Sequence, residues 1–239
     1  GHAAPFAWTL LEAAAMLSVT FSAFMVKEML GSMIGTHVAE PGTAVAAHVA
    51  ALVVYYAIQL VVLVWLVRRR GGDVLDAVGL GRPGTSAAHK LGSIGLVVGL
   101  LVLTRLAATA YAFITREIGI MPETGVVDLP GLFGTTMAGW ALAVVMVVVI
   151  APLAEEVVFR AALLEGLAAR IGAWPAIIAQ AVVFAALHRS VWLLFPTFVL
   201  GLALGYLAHT RRSLWPAIAL HAGYNAITVG AAFALSQGL

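Results

Sequence analysis

The sequence predicts an all-α, polytopic transmembrane bundle of about seven helices, with the N-terminus inside and the C-terminus outside. Three observations predict it. The 239 residues are 62% hydrophobic and only 10% charged, with a mean hydropathy of +1.03; a soluble domain carries about 25% charged residues. Apolar runs of about 20 residues or more recur, the length a helix needs to cross a hydrocarbon layer. Basic residues gather in alternate connections, as the positive-inside rule requires.

The first run, from residue 6 to about 34, lacks a basic leader and contains Glu12, so a retained helix is expected rather than a signal peptide. Lys27 and Glu28 stand near its far end, where long side chains can snorkel. Pro41 and Gly42 break the chain, a second span covers about 44–67, and Arg68, Arg69 and Arg70 stop it. The polar stretch up to Lys90 contains Gly79, Gly81 and Gly84 in a G-x-G-x-x-G pattern. No strand precedes it and no βαβ unit surrounds it, so it reads as a surface loop and not a nucleotide site.

A third span covers about 91–114. Gly92, Gly95 and Gly99 are spaced for close helix contact, and Arg105 within it is expected to pair or snorkel. Residues 115–134, with Glu117, Pro122, Glu123, Asp128 and Pro130, form an exposed connection. The fourth span opens near Thr136 and runs to Arg170, longer than a bilayer needs. A fifth helix covers about 174–188, a sixth about 191–208 with Gly201 and Gly205 four apart, and a seventh about 214–235.

Placing the 68–90 loop inside puts Arg68, Arg69, Arg70, Arg82, Lys90, Arg170, Arg211 and Arg212 on one side. The acidic 115–134 loop then falls outside with Arg116 and Arg189. Arginine outnumbers lysine 11 to 2, which points to a GC-rich genome and so to a bacterial cytoplasmic membrane. A net charge of +2 without a long basic run excludes a nucleic-acid partner. The absence of cysteine excludes disulfides, thiolate nucleophiles and cysteine-ligated metals. No internal repeat or linker divides the chain, and residues 1–239 read as one integral membrane domain.

Charge inside this apolar chain concentrates at Glu155, Glu156 and Arg160. Ionisable groups in membrane helices are rare and functional by default. Glu156 and Arg160 stand at i and i+4, acid first, and can pair. Glu155 points about 100° away and keeps no obvious cation. One carboxylate is neutralised and its neighbour stays free, as a general base requires. Downstream, Phe184 and His188 share one helix face, and His221 and Asn225 share another. Glu155 and His188 lie 17 and 16 residues from the turn at Gly172, so the two should reach a similar depth.

The ordered set Glu-Glu-x-x-x-Arg, Phe-x-x-x-His and His-x-x-x-Asn resembles the CAAX-protease and bacteriocin-processing (CPBP, or Abi) family of intramembrane proteases. The resemblance covers roughly residues 136–239, making 136–235 the catalytic core and the helices of roughly 6–114 accessory. It implies that Glu155 and His188 activate water and that His221 and Asn225 bind the oxyanion, with Glu156, Arg160 and Phe184 supporting them. The chemistry suits those residue types. Asn225 offers an NH₂ and His221 an N–H, and each oxyanion donor is worth a factor of about 10²–10³ in rate. No Gly-x-Ser-x-Gly, His-Glu-x-x-His or Cys–His arrangement competes for the role.

The expected function is therefore an intramembrane endopeptidase acting on a membrane-associated protein or peptide within the bilayer. A non-catalytic membrane partner or immunity subunit that keeps the protease fold is the alternative; a transporter lacks the inverted repeat it would need. Glu155, His188 and His221 also form a His₂Glu set of the kind that ligates catalytic zinc. The metal-free reading is favoured on two grounds. Asparagine beside His221 is a poor zinc ligand, and Glu156, committed to Arg160, leaves His221 without the carboxylate that zinc histidines usually carry on the other nitrogen.

Overall fold

The computed structural model describes residues 6–81, 87–120 and 128–238. Nine helices account for the secondary structure of those residues, and no strand occurs among them. The long ones are α1 (Leu10–His37), α2 (Pro41–Arg68), α4 (Ala87–Glu117), α6 (Met137–Ile171), α8 (Val191–Arg211) and α9 (Trp215–Ser236). A shorter apolar helix, α7 (Ala173–Ala186), lies between α6 and α8. Two single turns, α3 (Val74–Ala77) and α5 (Leu129–Phe133), sit in the connections. Six helices are long and apolar enough to cross a membrane. Outward-facing Leu11, Met29, Val61, Trp65, Leu103 and Trp174 are exposed, as lipid-facing positions are. This is an integral membrane protein, a polytopic helical bundle.

Helix boundaries follow local chemistry. Thr9 and Glu12 form a reciprocal capping box that starts α1. Glu40 caps α2, accepting from the backbone N–H of Gly42 (2.9 Å) and of Thr43, and Pro41 enters at the first turn, where its missing N–H costs nothing. The expected break at Pro41 is thus the start of the helix itself. Hydrogen bonds from Thr43 and Gly42 hold the Glu40 carboxyl below its ordinary pKa. Gly172, at φ +83°, makes the tight turn between α6 and α7. The latter ends at Ala186, two residues before His188, because Arg189 enters the left-handed region at φ 50°.

One end of the bundle is tied together by polar contacts. Buried Glu12 receives Arg70 at 2.9 Å and Arg69 at 3.5 Å. The Trp8 indole N–H donates to the Ala77 carbonyl, and the Leu214 N–H reaches the Gly79 carbonyl. The basic residues after α2 and the turn before α9 therefore share an end with the start of α1. The G-x-G-x-x-G stretch begins there, but Arg82 to Gly84 lie outside the described residues, as do Pro122 and Glu123.

Glycine spacing meets two different fates. On α8, Gly201 lies so close to α7 that a Cβ would sit 3.1 Å from Ala181 Cα, and Gly205 would meet the Gln180 amide at 2.6 Å. Gln180 is fully buried and donates to the carbonyls of Ile177 and Gly201, each at 2.9 Å. On α4, by contrast, a Cβ added at Gly92, Gly95 or Gly99 would meet nothing within 4 Å. Among the described residues the expected close contact does not form there: the spacing leaves a smooth face, touched at Gly92 only through its carbonyl by Arg211. Gly201→Leu should cost about 1–3 kcal/mol through overpacking, and Gly99→Leu almost nothing. Thermal melts in detergent compare them, and an equal loss in both would contradict the packing described.

Candidate active site

The carboxylate pair rides on α6, and α6 is not a uniform helix. Its hydrogen bonding widens to the i→i−5 pattern over Val144–Ile150 and again over Val157–Leu164, leaving one α-helical turn between them, Ala151–Glu156. Such π segments often mark functional positions. A physical cause is at hand for the first. The Ala151 N–H bonds Met146 O, five residues back. Pro152, next in that register, has no N–H to give Val147 O. The orphaned carbonyl is taken by Asn225, whose Nδ2 donates to it at 2.8 Å. Asn225 thus has a first partner that the sequence did not reveal, and one amide hydrogen remains.

The two glutamates have contrasting surroundings. Glu156 and Arg160 are both 0% exposed at their side chains and pair at 2.9 Å. The Glu155 side chain is 19% exposed. One Glu155 oxygen accepts from the Tyr56 hydroxyl at 3.1 Å. The other faces His221 Nε2 at 3.8 Å. The division into a locked and an accessible carboxylate agrees with the sequence reading.

His221 overturns a second expectation. Its Nδ1–H donates to Glu156 Oε1 at 2.8 Å, on the same oxygen that Arg160 holds. Glu156 is therefore shared between cation and imidazole rather than spent on the arginine. A carboxylate oxygen has lone pairs for both, which helix spacing along α6 alone does not show. With the proton fixed on Nδ1, Nε2 of the neutral ring carries a lone pair toward Glu155. His221 becomes a donor on that side only as an imidazolium.

His188 sits in the turn after α7. Its Nδ1 lies 2.8 Å from the Phe184 carbonyl; a carbonyl can only accept, so Nδ1 carries the proton and Nε2 the lone pair. The charges of Glu155, His221 and Arg160 all act on this ring. Phe184, 1% exposed, is the wall between them. It meets His188 edge-on at 4.9 Å and His221 at 5.7 Å, and the Arg160 guanidinium lies over it at 4.4 Å. Glu155, Glu156, Arg160, Phe184, His188 and His221 thus meet in one connected cluster, and Asn225 joins it through the backbone of α6. Tyr56 was missed. Nothing in the pattern of α2 distinguishes it from its neighbour Tyr55; only its contact across 99 residues does.

Both histidines have the tautomer that a metal would need, with Nδ1 tied to an oxygen and Nε2 free. The argument that His221 lacks a carboxylate partner therefore falls. Among the described residues, however, no three His, Asp or Glu side chains converge closely enough to enclose a metal ion. A cavity of about 340 Å³ borders Arg160, Glu165, His209 and Arg212, but Glu155, His188, His221 and Asn225 do not line it.

Removing Arg160 leaves the buried Glu156 carboxylate without its cation and with only the His221 imidazole as partner, and losing one partner of a buried pair costs about 3–5 kcal/mol. Arg160→Ala should show that loss, while Arg160→Ala combined with Glu156→Gln should recover much of it. Denaturation in detergent reads both, and additive losses would mean that the two side chains do not act as a pair.

Residues 137–227 match the family described as Type II CAAX prenyl endopeptidase Rce1-like. No curated protein and no solved structure matches the chain. The matched segment contains Glu155, Glu156, Arg160, Phe184, His188, His221 and Asn225, and it is over this segment that the chain is similar to that family.

Proposed function

We propose that this protein is an intramembrane endopeptidase that hydrolyses a peptide bond of a membrane-associated substrate, with Glu155 as general base. The observation that carries this reading is the contrast between the two adjacent glutamates. Glu156 is sealed with Arg160 and His221, whereas Glu155 is accessible and faces His221 Nε2 across 3.8 Å. A water lodged beside that gap would donate to the Glu155 carboxylate and to the imidazole lone pair at once.

In the reaction, Glu155 removes a proton as the water oxygen attacks the carbonyl carbon. The oxyanion that forms takes the remaining N–H of Asn225. His221, with a carboxylate facing each ring nitrogen, joins as a donor when Glu155 passes that proton on to its Nε2. Collapse of the tetrahedral intermediate breaks the C–N bond, and the same proton passes from His221 or Glu155 to the departing amine, with His188 as a further relay. Tyr56 holds the base in place through its hydroxyl. Phe184 and the Glu156–Arg160 pair keep the rings in position.

The family points to a prenylated peptide ending in a CAAX sequence as the first substrate to try. A bacteriocin-type or other maturing peptide is the second. Glu155, His188 and His221 are the residues that would hold zinc, which would polarise the carbonyl and lower the pKa of bound water; the proposed mechanism uses none.

Glu155→Gln replaces the base with a near-isosteric amide and should lower cleavage of a farnesylated CAAX peptide by about 10²–10⁴-fold, with the melting temperature unchanged. Tyr56→Phe should retain activity at a reduced level. If Glu155→Gln cleaves at the wild-type rate, the chain is better read as a non-catalytic partner. Elemental analysis of active, chelator-washed enzyme completes the test: stoichiometric zinc, lost and restored with activity, would contradict the metal-free mechanism.

A further inference from the structure

Arg105, the charge within α4, is held inside the chain. One N–H donates to the Thr228 hydroxyl at 3.0 Å, and the guanidinium lies 4.6 Å from the centre of the Tyr224 ring. The far half of α1 is different. Met25, Met29, Met33 and His37 recur there at every fourth position, and His37 ends the helix. Each step turns about 40° around the axis and rises about 6 Å, so successive members stand one above another on the same side. Met25, Met29 and Met33 are exposed at 48%, 57% and 52%, and His37 is exposed beyond them. None of the four belongs to a core of the bundle.

His37 is already set as a ligand would be. Its Nδ1 lies 3.1 Å from the Met33 carbonyl and 2.6 Å from the Thr36 hydroxyl. A carbonyl only accepts, so Nδ1 carries the proton and Nε2 keeps its lone pair, the tautomer and anchor that metal-binding histidines usually have. At the last residue of a helix the dipole also favours a cation. From Glu12, tied to Arg69 and Arg70, to His37 the helix runs about 38 Å against a hydrocarbon layer of about 30 Å. Met33 and His37 thus reach the opposite water boundary. The donor set says which metal. Thioether sulfur selects Cu(I), and imidazole suits copper as well. Zinc calls for four donors drawn from thiolate, imidazole and carboxylate, and the chain has no cysteine. Neutral donors leave the ion's own charge uncompensated at the membrane edge, and a monovalent ion keeps that charge smallest.

We infer that Met33 and His37, with Met29 as the next donor along the column, form a binding site for Cu(I) at the end of α1. The His37 Nε2 lone pair and the Met33 thioether supply the two principal bonds. The site lies outside the residues matched to the family, and none of its side chains takes part in the proposed reaction.

The test is anaerobic competition for Cu(I) between the full-length protein in detergent and the coloured chelator bicinchoninate. The wild type should withdraw copper from the chelator, and X-ray absorption should show sulfur and nitrogen together around the metal. Met33→Leu and His37→Gln should each weaken binding about 10–100-fold, the loss that removing even an outer-shell partner brings, and Met29→Leu should weaken it less. Melting temperatures should stay unchanged, since these positions are exposed. His48 is the internal control: its Nδ1 is anchored in the same way, 2.8 Å from the Ala44 carbonyl, but no methionine stands within a turn of it on α2. His48→Gln should bind as the wild type does. So should Glu155→Gln, whether or not the protein is a peptidase. A wild type that takes no copper, a metal shell of nitrogen and oxygen alone, or undiminished binding by the Met33→Leu, His37→Gln double variant would each overturn the inference.

Discussion

One oxygen atom organises the centre of this protein. Glu156 Oε1 accepts from Arg160 on its own helix and from His221 on α9. All three side chains are buried, Glu156 and Arg160 completely. Taking such charges out of water costs several kcal/mol per ion, and a buried pair often contributes little net stability. Its value here is geometric. The shared carboxylate fixes the tautomer and direction of His221, and through it the groups facing Glu155. Arg160 in turn lies against Phe184, the ring that also meets both histidines.

The helix that carries the carboxylates is shaped by what it lacks. Pro152 withholds an N–H one turn before Glu156, and the i→i−5 segment leaves a carbonyl that Asn225 fills. A side chain of α9 thus completes the backbone of α6. The same helices are joined at Glu156 and His221, so the contact between them is polar at two levels and apolar elsewhere. Close helix approach on the other side of α7 relies on Gly201 and Gly205. Small residues there let backbones meet where lipid provides no hydrophobic driving force between helices.

The N-terminal helices are tied into this centre from outside the family segment. Tyr56 of α2 reaches Glu155, and Glu28 of α1 meets Arg189 beside His188 at 3.4 Å. Glu12 and Arg70 anchor the opposite end of α1. The N-terminal half of the chain therefore supplies one hydrogen-bond donor to the accessible carboxylate and a clasp on either end of the bundle.

Much of this was legible in the residues themselves. The helical membrane class follows from run length and from the scarcity of charge, because hydrocarbon admits only segments that satisfy their own backbone hydrogen bonds. The pairing of Glu156 with Arg160, and of Phe184 with His188, follows from helical spacing. So does the isolation of Glu155 from its neighbour. The long fourth span and the turn at Gly172 were equally plain. What spacing cannot give is a contact between helices. Whether Gly92, Gly95 and Gly99 meet a neighbour, that Tyr56 rather than Tyr55 donates to Glu155, that Asn225 spends a hydrogen on Val147, and that Glu156 serves His221 as well as Arg160 all depend on how α2, α6 and α9 rotate against one another. Periodicity sets the face on which a side chain stands. Only packing sets what that face meets, because a lone pair or an N–H is satisfied by whichever partner the folded bundle brings within about 3 Å.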